Sequence, residues 1–545
     1  MMYYLSVEYY MLSDCFVAFG KSKNLFQALK NLFITSLAFI IVLFTFVFPV
    51  LAEGVSQQLP FVGPGNQPNN SKELEGFVDN FFAENMQKEH IPGAVFALVK
   101  DGKVFLSKGY GYADVDKKIP VKPEETIFRV ASISKLFTAI AVMQLVEKGQ
   151  INLNDDVNNH LKSFQLDNNF PQAITIAHLL THTSGLDGTI IGTSASQKSE
   201  ILPIGNYLAK YKPKRVRPPG EITAYSNYGL ALAGYIVELT SGIPFAEYID
   251  KNILQPLEMT HSSFEQPPPK KHFSQNLPIG YKFKNNHYLP VPFEYTNDSP
   301  AISLSTTAND MAKFMIAQLE SYTKQKTNPK IDKKIKILHP DTIREMHRQQ
   351  FTNDPRIDGI GYTFIQRSYN NLQSLGHGGS MEGFKSEIYL LPSHNLGLFV
   401  AFNSNDSFAY KLIKELLHYY GYLMKNNQNK VYEDANIERF QGKYLENRFS
   451  QASVSKLFEI ANYEIKIKTQ KQILIFEDKD YEQVKPLVFK EIGDEKYLAF
   501  KQDSKGKIKY LFDRMYPLKK LAWYETFSSF KNITIFSGII FFQKA

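Results

Sequence analysis

From Ser132 to Lys148 the chain reads SISKLFTAIAVMQLVEK, apolar around almost the whole circumference of a helix. A helix with no polar stripe has no face to turn to water, so this one belongs in an interior with packed layers on every side. The chain has the material for it. Its 545 residues, 43% hydrophobic and 21% charged, have a globular composition, and at roughly 150 residues per domain they suggest two or three units. Two residues at the helix start break its apolar character. Ser132 and Lys135 are spaced i and i+3, share one face, and so place an amine beneath a hydroxyl whose proton it can take. Burial lowers the pKa of a lysine, and the positive end of the helix stabilises negative charge developing at the serine.

The pattern S-x-x-K alone has little specificity, because it occurs five times, at Ser132, Ser321, Ser453, Ser504 and Ser528. The nearest decoy is ASVSKLF at Ala452–Phe458 against ASISKLF at Ala131–Phe137, but it sits in a strand-rich region with no further motif after it. Ser132 is followed by two. Tyr225-Ser226-Asn227 precedes the apolar stretch YGLALAGYIVEL; Tyr225 can carry a proton between nucleophile, leaving group and water, while Asn227 holds Lys135 and a substrate amide. His377-Gly378-Gly379-Ser380 comes directly before the strand-like FKSEIYLL. Its glycines let a substrate backbone lie against an edge strand, and the Ser380 N–H can join that of Ser132 as an oxyanion hole; a plain glycine-rich turn is the competing reading. His178 and His182 have the i, i+4 spacing of metal ligands, but HExxH is absent and no carboxylate follows, so a structural role is expected and no metal or other cofactor is assigned. Gly378–Glu382 misses the G-x-S-x-G elbow, since Glu382 stands where the last glycine belongs.

The rest of the chain sets boundaries. Residues 1–52 read as a signal peptide or membrane anchor: Leu32–Ala52 carries no charge, lysines precede it, and Val50 and Ala52 suit cleavage after Ala52. A Pro, Gly and Asn-rich linker fills 53–70, a hydrolase domain 71–425, a second polar linker 426–436, and a small antiparallel β domain 437–525. The tail 526–545 contains an apolar run, Ile533–Phe542, short for a membrane span and read as an apolar tail or a truncated span. The one cysteine, Cys15, precedes the apolar segment, so the exported part has no disulfide and no thiol chemistry. Net charge is +8, with lysines densest from Lys324 to Lys336, read as a solvated loop; no basic stripe interleaved with aromatics marks a nucleic-acid protein.

The order S-x-S-K, Y-S-N, H-G-G resembles the serine β-lactamase and penicillin-binding-protein family, in its class C, esterase and D-aminopeptidase branch. IPGAVFALVKDGKV, HLLTHTSGL, PPGEITAYSNYGLALAGYIVE and STTANDMAKFM extend the likeness. The resemblance implies an α/β (α+β) sandwich, an antiparallel sheet flanked by helices with a helical lobe, followed by a lipocalin-like β domain. It also implies a serine hydrolase, exported to the periplasm, acting on ester or amide bonds of a small-molecule or peptide substrate, peptidoglycan fragments included. A β-lactamase or D-alanyl-D-alanine carboxypeptidase, and a non-catalytic envelope-binding protein on the same fold, are the alternatives. Two positions depart from the family's pattern. Relatives usually have K-T-G in the third motif, whereas His377 is largely neutral above its ordinary pKa near 6.5, which predicts poor binding of carboxylate-bearing β-lactams unless another cation such as Lys385 compensates. Ile302 stands where relatives tend to have glycine.

Overall fold

The computed structural model describes residues 71–267, 276–322, 337–369, 372–423, 432, 434, 436–453 and 455–531. The expected export segment, the leading linker, the Lys324–Lys336 stretch and the C-terminal apolar run lie outside the described residues. So does most of the linker 426–436. Among the described residues no single helix is long and apolar enough to cross a membrane.

Helix α1 (Ser71–Lys88) leads into a hairpin of β1 (Gly93–Lys100) and β2 (Lys103–Asp114), with a short edge strand β3 (Ile119–Pro120). The two-residue turn Asp101-Gly102 has φ of +50° and +75°, the left-handed pair that a tight hairpin needs. The chain then builds a helical lobe containing α2 (Ser134–Glu147), α3 (Asn227–Ser241), α4 (Ser299–Ile302) and α5 (Ala308–Glu320). It returns as β4 (Ile365–Tyr369), β5 (Leu372–Met381), β6 (Phe384–Leu391) and β7 (Leu396–Phe402), then α6 (Ala409–Tyr419). The seven strands run antiparallel in the order β4-β5-β6-β7-β1-β2-β3. Pairing of β1 with β7, Ala97 opposite Phe399, closes the sheet with the two ends of the domain.

Alternation along β1 divides the interior. Val95, Ala97 and Val99 pack with Phe137, Ile140 and Phe314 of the lobe, while Ala94, Phe96 and Leu98 face Val78 and Phe82 of α1 and Leu412 and Leu416 of α6. Helix α2 is buried from Ser134 to Leu145, as its sequence requires.

The C-terminal strands form a closed antiparallel barrel of eight: β8 (Gly442–Glu446), β9 (Ile465–Gln470), β10 (Ile473–Phe476), β11 (Lys479–Lys485), β12 (Val488–Glu491), β13 (Tyr497–Gln502), β14 (Ile508–Asp513) and β15 (Tyr516–Lys520). Phe440, Tyr444, Phe489 and Phe500 fill its centre. The barrel docks on the larger domain: Thr223 Oγ1 donates to the Met515 carbonyl at 2.7 Å, and Ile222 and Ile357 pack against Val488 and Phe512.

The H-G-G-S motif lies within β5, so the competing reading of a glycine-rich turn falls; the turn is Glu382-Gly383, with Gly383 at φ +77°. One local expectation changes. The decoy at Ser453 leads into a helix, Ser455–Tyr463, inserted between barrel strands.

Because Phe137 is fully buried and stacks on Phe314 at 4.4 Å between centroids, Phe137→Ala is expected to cost about 3–5 kcal/mol, measurable as a lower urea midpoint at an unchanged m-value.

Candidate active site

Ser132 lies in a 3₁₀ turn, Ala131–Ile133, that runs directly into α2. Ala131 has φ +46°, a left-handed conformation that costs a non-glycine residue roughly 1–3 kcal/mol and persists only where its surroundings impose it. The surroundings are visible. Ser134 Oγ donates to the Ala131 carbonyl at 2.6 Å and accepts from the Leu304 N–H at 2.9 Å, while Ser386 Oγ donates to the Val130 carbonyl at 2.9 Å. Gly379 of β5 lies against the same carbonyl, so closely that an added Cβ would stand 2.1 Å from the Val130 oxygen. The strand with the third motif is thus pressed onto the nucleophile turn, which places Ser380 beside Ser132 on the wall of one pocket.

Lys135 is wholly buried, with Nζ 2.9 Å from Ser132 Oγ and 2.8 Å from the Ala301 carbonyl oxygen, to which it donates. Loss of solvation pushes its pKa down to about 7; the Asp298 carboxylate pulls against this and the Arg448 guanidinium adds to it. The Tyr225 ring stands 4.9 Å from Nζ, and Tyr225 lines the same pocket as Ser132. Burial raises the phenol well above its ordinary range, so Tyr225 is a neutral O–H and not a phenolate.

The second motif hangs on His182. Its Nδ1 accepts from the Ser226 N–H at 3.0 Å, its carbonyl accepts from the Ala224 N–H at 2.7 Å, and its ring lies 4.4 Å from that of Tyr225. Burial, with Lys135 nearby, holds the imidazole far below its usual pKa and therefore neutral. His178 instead closes a capping box with Thr175. Among the described residues no group of three or more His, Cys, Asp or Glu is placed to hold a metal ion.

Asn227 lines the pocket, but it does not bond Lys135 as expected. Lys135 instead faces the charge of Asp298, a carboxylate 1% exposed at the start of α4 that accepts from Thr296 Oγ1 and whose second oxygen has no hydrogen-bond partner. Sequence reasoning missed Asp298. His377 is also buried: Nδ1 lies 2.7 Å from the Gly378 carbonyl, Nε2 is without a partner, and its pKa is pushed down to about 3 by lost solvation and by Lys135. It is neutral over the whole working range.

A cavity of about 580 Å³ brings together Ser132, Tyr225, Asn227, His377, Gly379 and Ser380, with Ile302 on its wall. Two further lining residues come from the barrel. Tyr516 opens β15, its ring 6.1 Å from that of Tyr225, and Arg448, just beyond β8, holds its guanidinium 5.1 Å from the Tyr225 ring centre. Lys385 also lines the cavity, with Nζ donating to Ser380 Oγ at 2.8 Å. No local pattern marks Arg448 or Tyr516 in sequence, since each acts across more than 200 residues of chain from Tyr225.

The sequence model described as Beta-lactamase matches residues 78–422. Protein flp of Staphylococcus aureus is 32% identical over 341 residues, covering 62% of this chain and 65% of flp, so the chain spans a little under two thirds of that relative's length. Among solved structures, the octameric penicillin-binding protein homologue from Pyrococcus abyssi superposes with a TM-score of 0.55 at 25% identity, over 82% of this chain and all of that one. SurE superposes with a TM-score of 0.58 at 20% identity, over 83% of this chain and all of SurE, which shows a shared fold.

The amine must be neutral to accept the serine proton, so the acylation rate of Ser132 is expected to fall as pH drops through about 7. Asp298→Asn removes a charge that favours the ammonium and should move this limb to lower pH; Arg448→Gln removes one that disfavours it and should move the limb up. Pseudo-first-order labelling rates with a fluorophosphonate between pH 5 and 9 measure both shifts.

Proposed function

As the chain belongs to the beta-lactamase family, we propose that it is a serine hydrolase that cleaves ester or amide bonds through a covalent acyl-enzyme. The observation that carries this reading is the buried Lys135 amine 2.9 Å from the Ser132 hydroxyl. Ser132 Oγ attacks the carbonyl carbon while its proton passes to Lys135. The N–H groups of Ser132 and Ser380 receive the oxyanion, and loss of one such donor costs on the order of 100-fold in rate. Tyr225 then delivers its proton to the leaving alcohol or amine and recovers one from the Lys135 ammonium, which returns to the neutral amine; water then gives up a proton to the same pair, attacks the acyl carbonyl and releases the acid, with Ser132 Oγ reprotonated as it leaves.

The substrate side differs from the simplest reading of the third motif. His377 is neutral, yet the pocket is not without positive charge, because Arg448 and Lys385 both line it. Lys385 is engaged with Ser380, whereas Arg448 is solvent-exposed at the barrel side. Glu446, two residues before Arg448, is pushed up to about 7 by burial and cancels only part of that charge. The inference from His377 to a pocket that rejects carboxylates therefore gives way. Short peptides or esters with an anionic group next to the scissile carbonyl fit the pocket better, with Arg448 as the recognising cation. Action outside the inner membrane, anchored or periplasmic, is part of the same proposal and is supported by the charge-free run Leu32–Ala52.

A fluorophosphonate probe should label the wild type and Ser453→Ala but not Ser132→Ala, with p-nitrophenyl ester hydrolysis lost in parallel. An unlabelled wild type that stays folded and binds cell wall as well as Ser132→Ala does would favour a non-catalytic envelope-binding protein. Hydrolysis of nitrocefin faster than of p-nitrophenyl esters would favour a plain β-lactamase.

A further inference from the structure

The second A-S-x-S-K-L-F stretch has no part in the chemistry above, but it starts at the junction of the two domains. Asp187, 4% exposed in the loop after the His178–His182 turn, accepts from Ser450 Oγ at 2.9 Å, from the Gln451 N–H at 2.7 Å and from the Ala452 N–H at 3.0 Å. A carboxylate that collects three donors across a domain boundary is a strong and directional clamp. Next to it, Gly188 lies so close to the barrel that an added Cβ would sit 1.9 Å from the Arg448 carbonyl oxygen. On the other side of Arg448, the buried Arg217 has Nη2 3.5 Å from both the Leu186 and Asn447 carbonyls. Arg448 is thus the one residue of this turn that extends into the pocket, with its backbone held before and after.

We propose that Asp187 is a positioning residue: by gripping the Ser450–Ala452 turn of the barrel it holds Arg448 over Tyr225, and so sets the preference for substrates that carry an anionic group. The proposal rests on the serine-hydrolase reading and on Arg448 as the recognising cation. Asp187 has no contact with the reacting atoms and acts through Arg448. The barrel remains docked without it, because Thr223 still bonds Met515, Asn353 Nδ2 still donates to the Arg514 carbonyl at 3.2 Å, and the Ile222–Val488 contact is elsewhere. In Asp187→Asn an amide N–H2 would face backbone N–H donors, so the turn loosens while the domains stay together.

Two readouts on the full chain separate the proposal from the reading beneath it. The first is the ratio of kcat/KM for p-nitrophenyl hydrogen adipate to that for p-nitrophenyl hexanoate. This ratio is expected to fall about tenfold in Arg448→Gln, to fall about as far in Asp187→Asn through KM for the anionic ester, and to fall no further in the double variant. Ser450→Ala, which removes one of the three bonds, should give a smaller drop in the same direction. Additive losses, or an Asp187→Asn enzyme slowed equally on both esters, would overturn the positioning role; an unchanged ratio in Arg448→Gln would overturn the recognition on which it rests. The second readout needs no activity. Trypsin should cut the native Asp187→Asn chain after Arg448 about tenfold faster than wild type, seen by fragment mass, because an unclamped turn opens more often. Cleavage at the wild-type rate would remove the clamp whatever the enzyme hydrolyses.

Discussion

Everything in the hydrolase domain is arranged around one contact, the 2.9 Å approach of the Lys135 amine to the Ser132 hydroxyl. The contact is useful only because it is dry. In water the amine would be an ammonium several pKa units above neutrality and unable to take a proton; wholly buried in α2, it stays near neutral. A helix apolar on all sides is what makes this possible, since only such a helix is covered by a sheet on one side and by other helices on the rest. The cost of burying the amine is offset by the Ala301 carbonyl and by Asp298, which keeps the amine from losing basicity altogether.

The same site shows a division of labour between domains. In the proposed mechanism the larger domain supplies nucleophile, base, proton carrier and the strand that meets the backbone of a substrate. The barrel closes one side of the pocket with Tyr516 and Arg448. A histidine in the third motif then has a physical consequence: its buried imidazole is uncharged, so positive charge enters the pocket from Arg448 and Lys385 instead. Ile302, where relatives tend to have glycine, brings an apolar side chain to the same wall. Both departures alter the substrate side of the pocket and leave the Ser132–Lys135 pair untouched.

Much of this was legible in the sequence, for identifiable reasons. The burial of α2, the Asp101-Gly102 hairpin and the pairing of β6 with β7 follow from local periodicity and turn chemistry, and the order of three motifs singles out, among five candidates, the serine that the structure sets beside a buried lysine. What was hidden depends on distance along the chain or on overlapping local signals. The glycines of β5 left a turn as a competing reading because one reason for them, the approach of Gly379 to Val130, lies almost 250 residues away. The helix Ser455–Tyr463 was concealed by strands on both sides. Asp298 follows no motif, and it matters only through the charge of Lys135, which another segment brings near it. Arg448 and Asp187 belong to a domain contact that no periodicity encodes.

The central claim is that Lys135 is a neutral amine near pH 7, and it can be measured without any substrate. In protein labelled with ¹³C at lysine Cε, the NMR titration of the wild type should show one Cε resonance with a midpoint near 7, far below the value of about 10.4 for lysine in a model peptide, and this resonance should be absent from Lys135→Met. A Lys135 resonance that moves only with the exposed lysines would contradict the account, because an ammonium at neutral pH could not take the proton of Ser132.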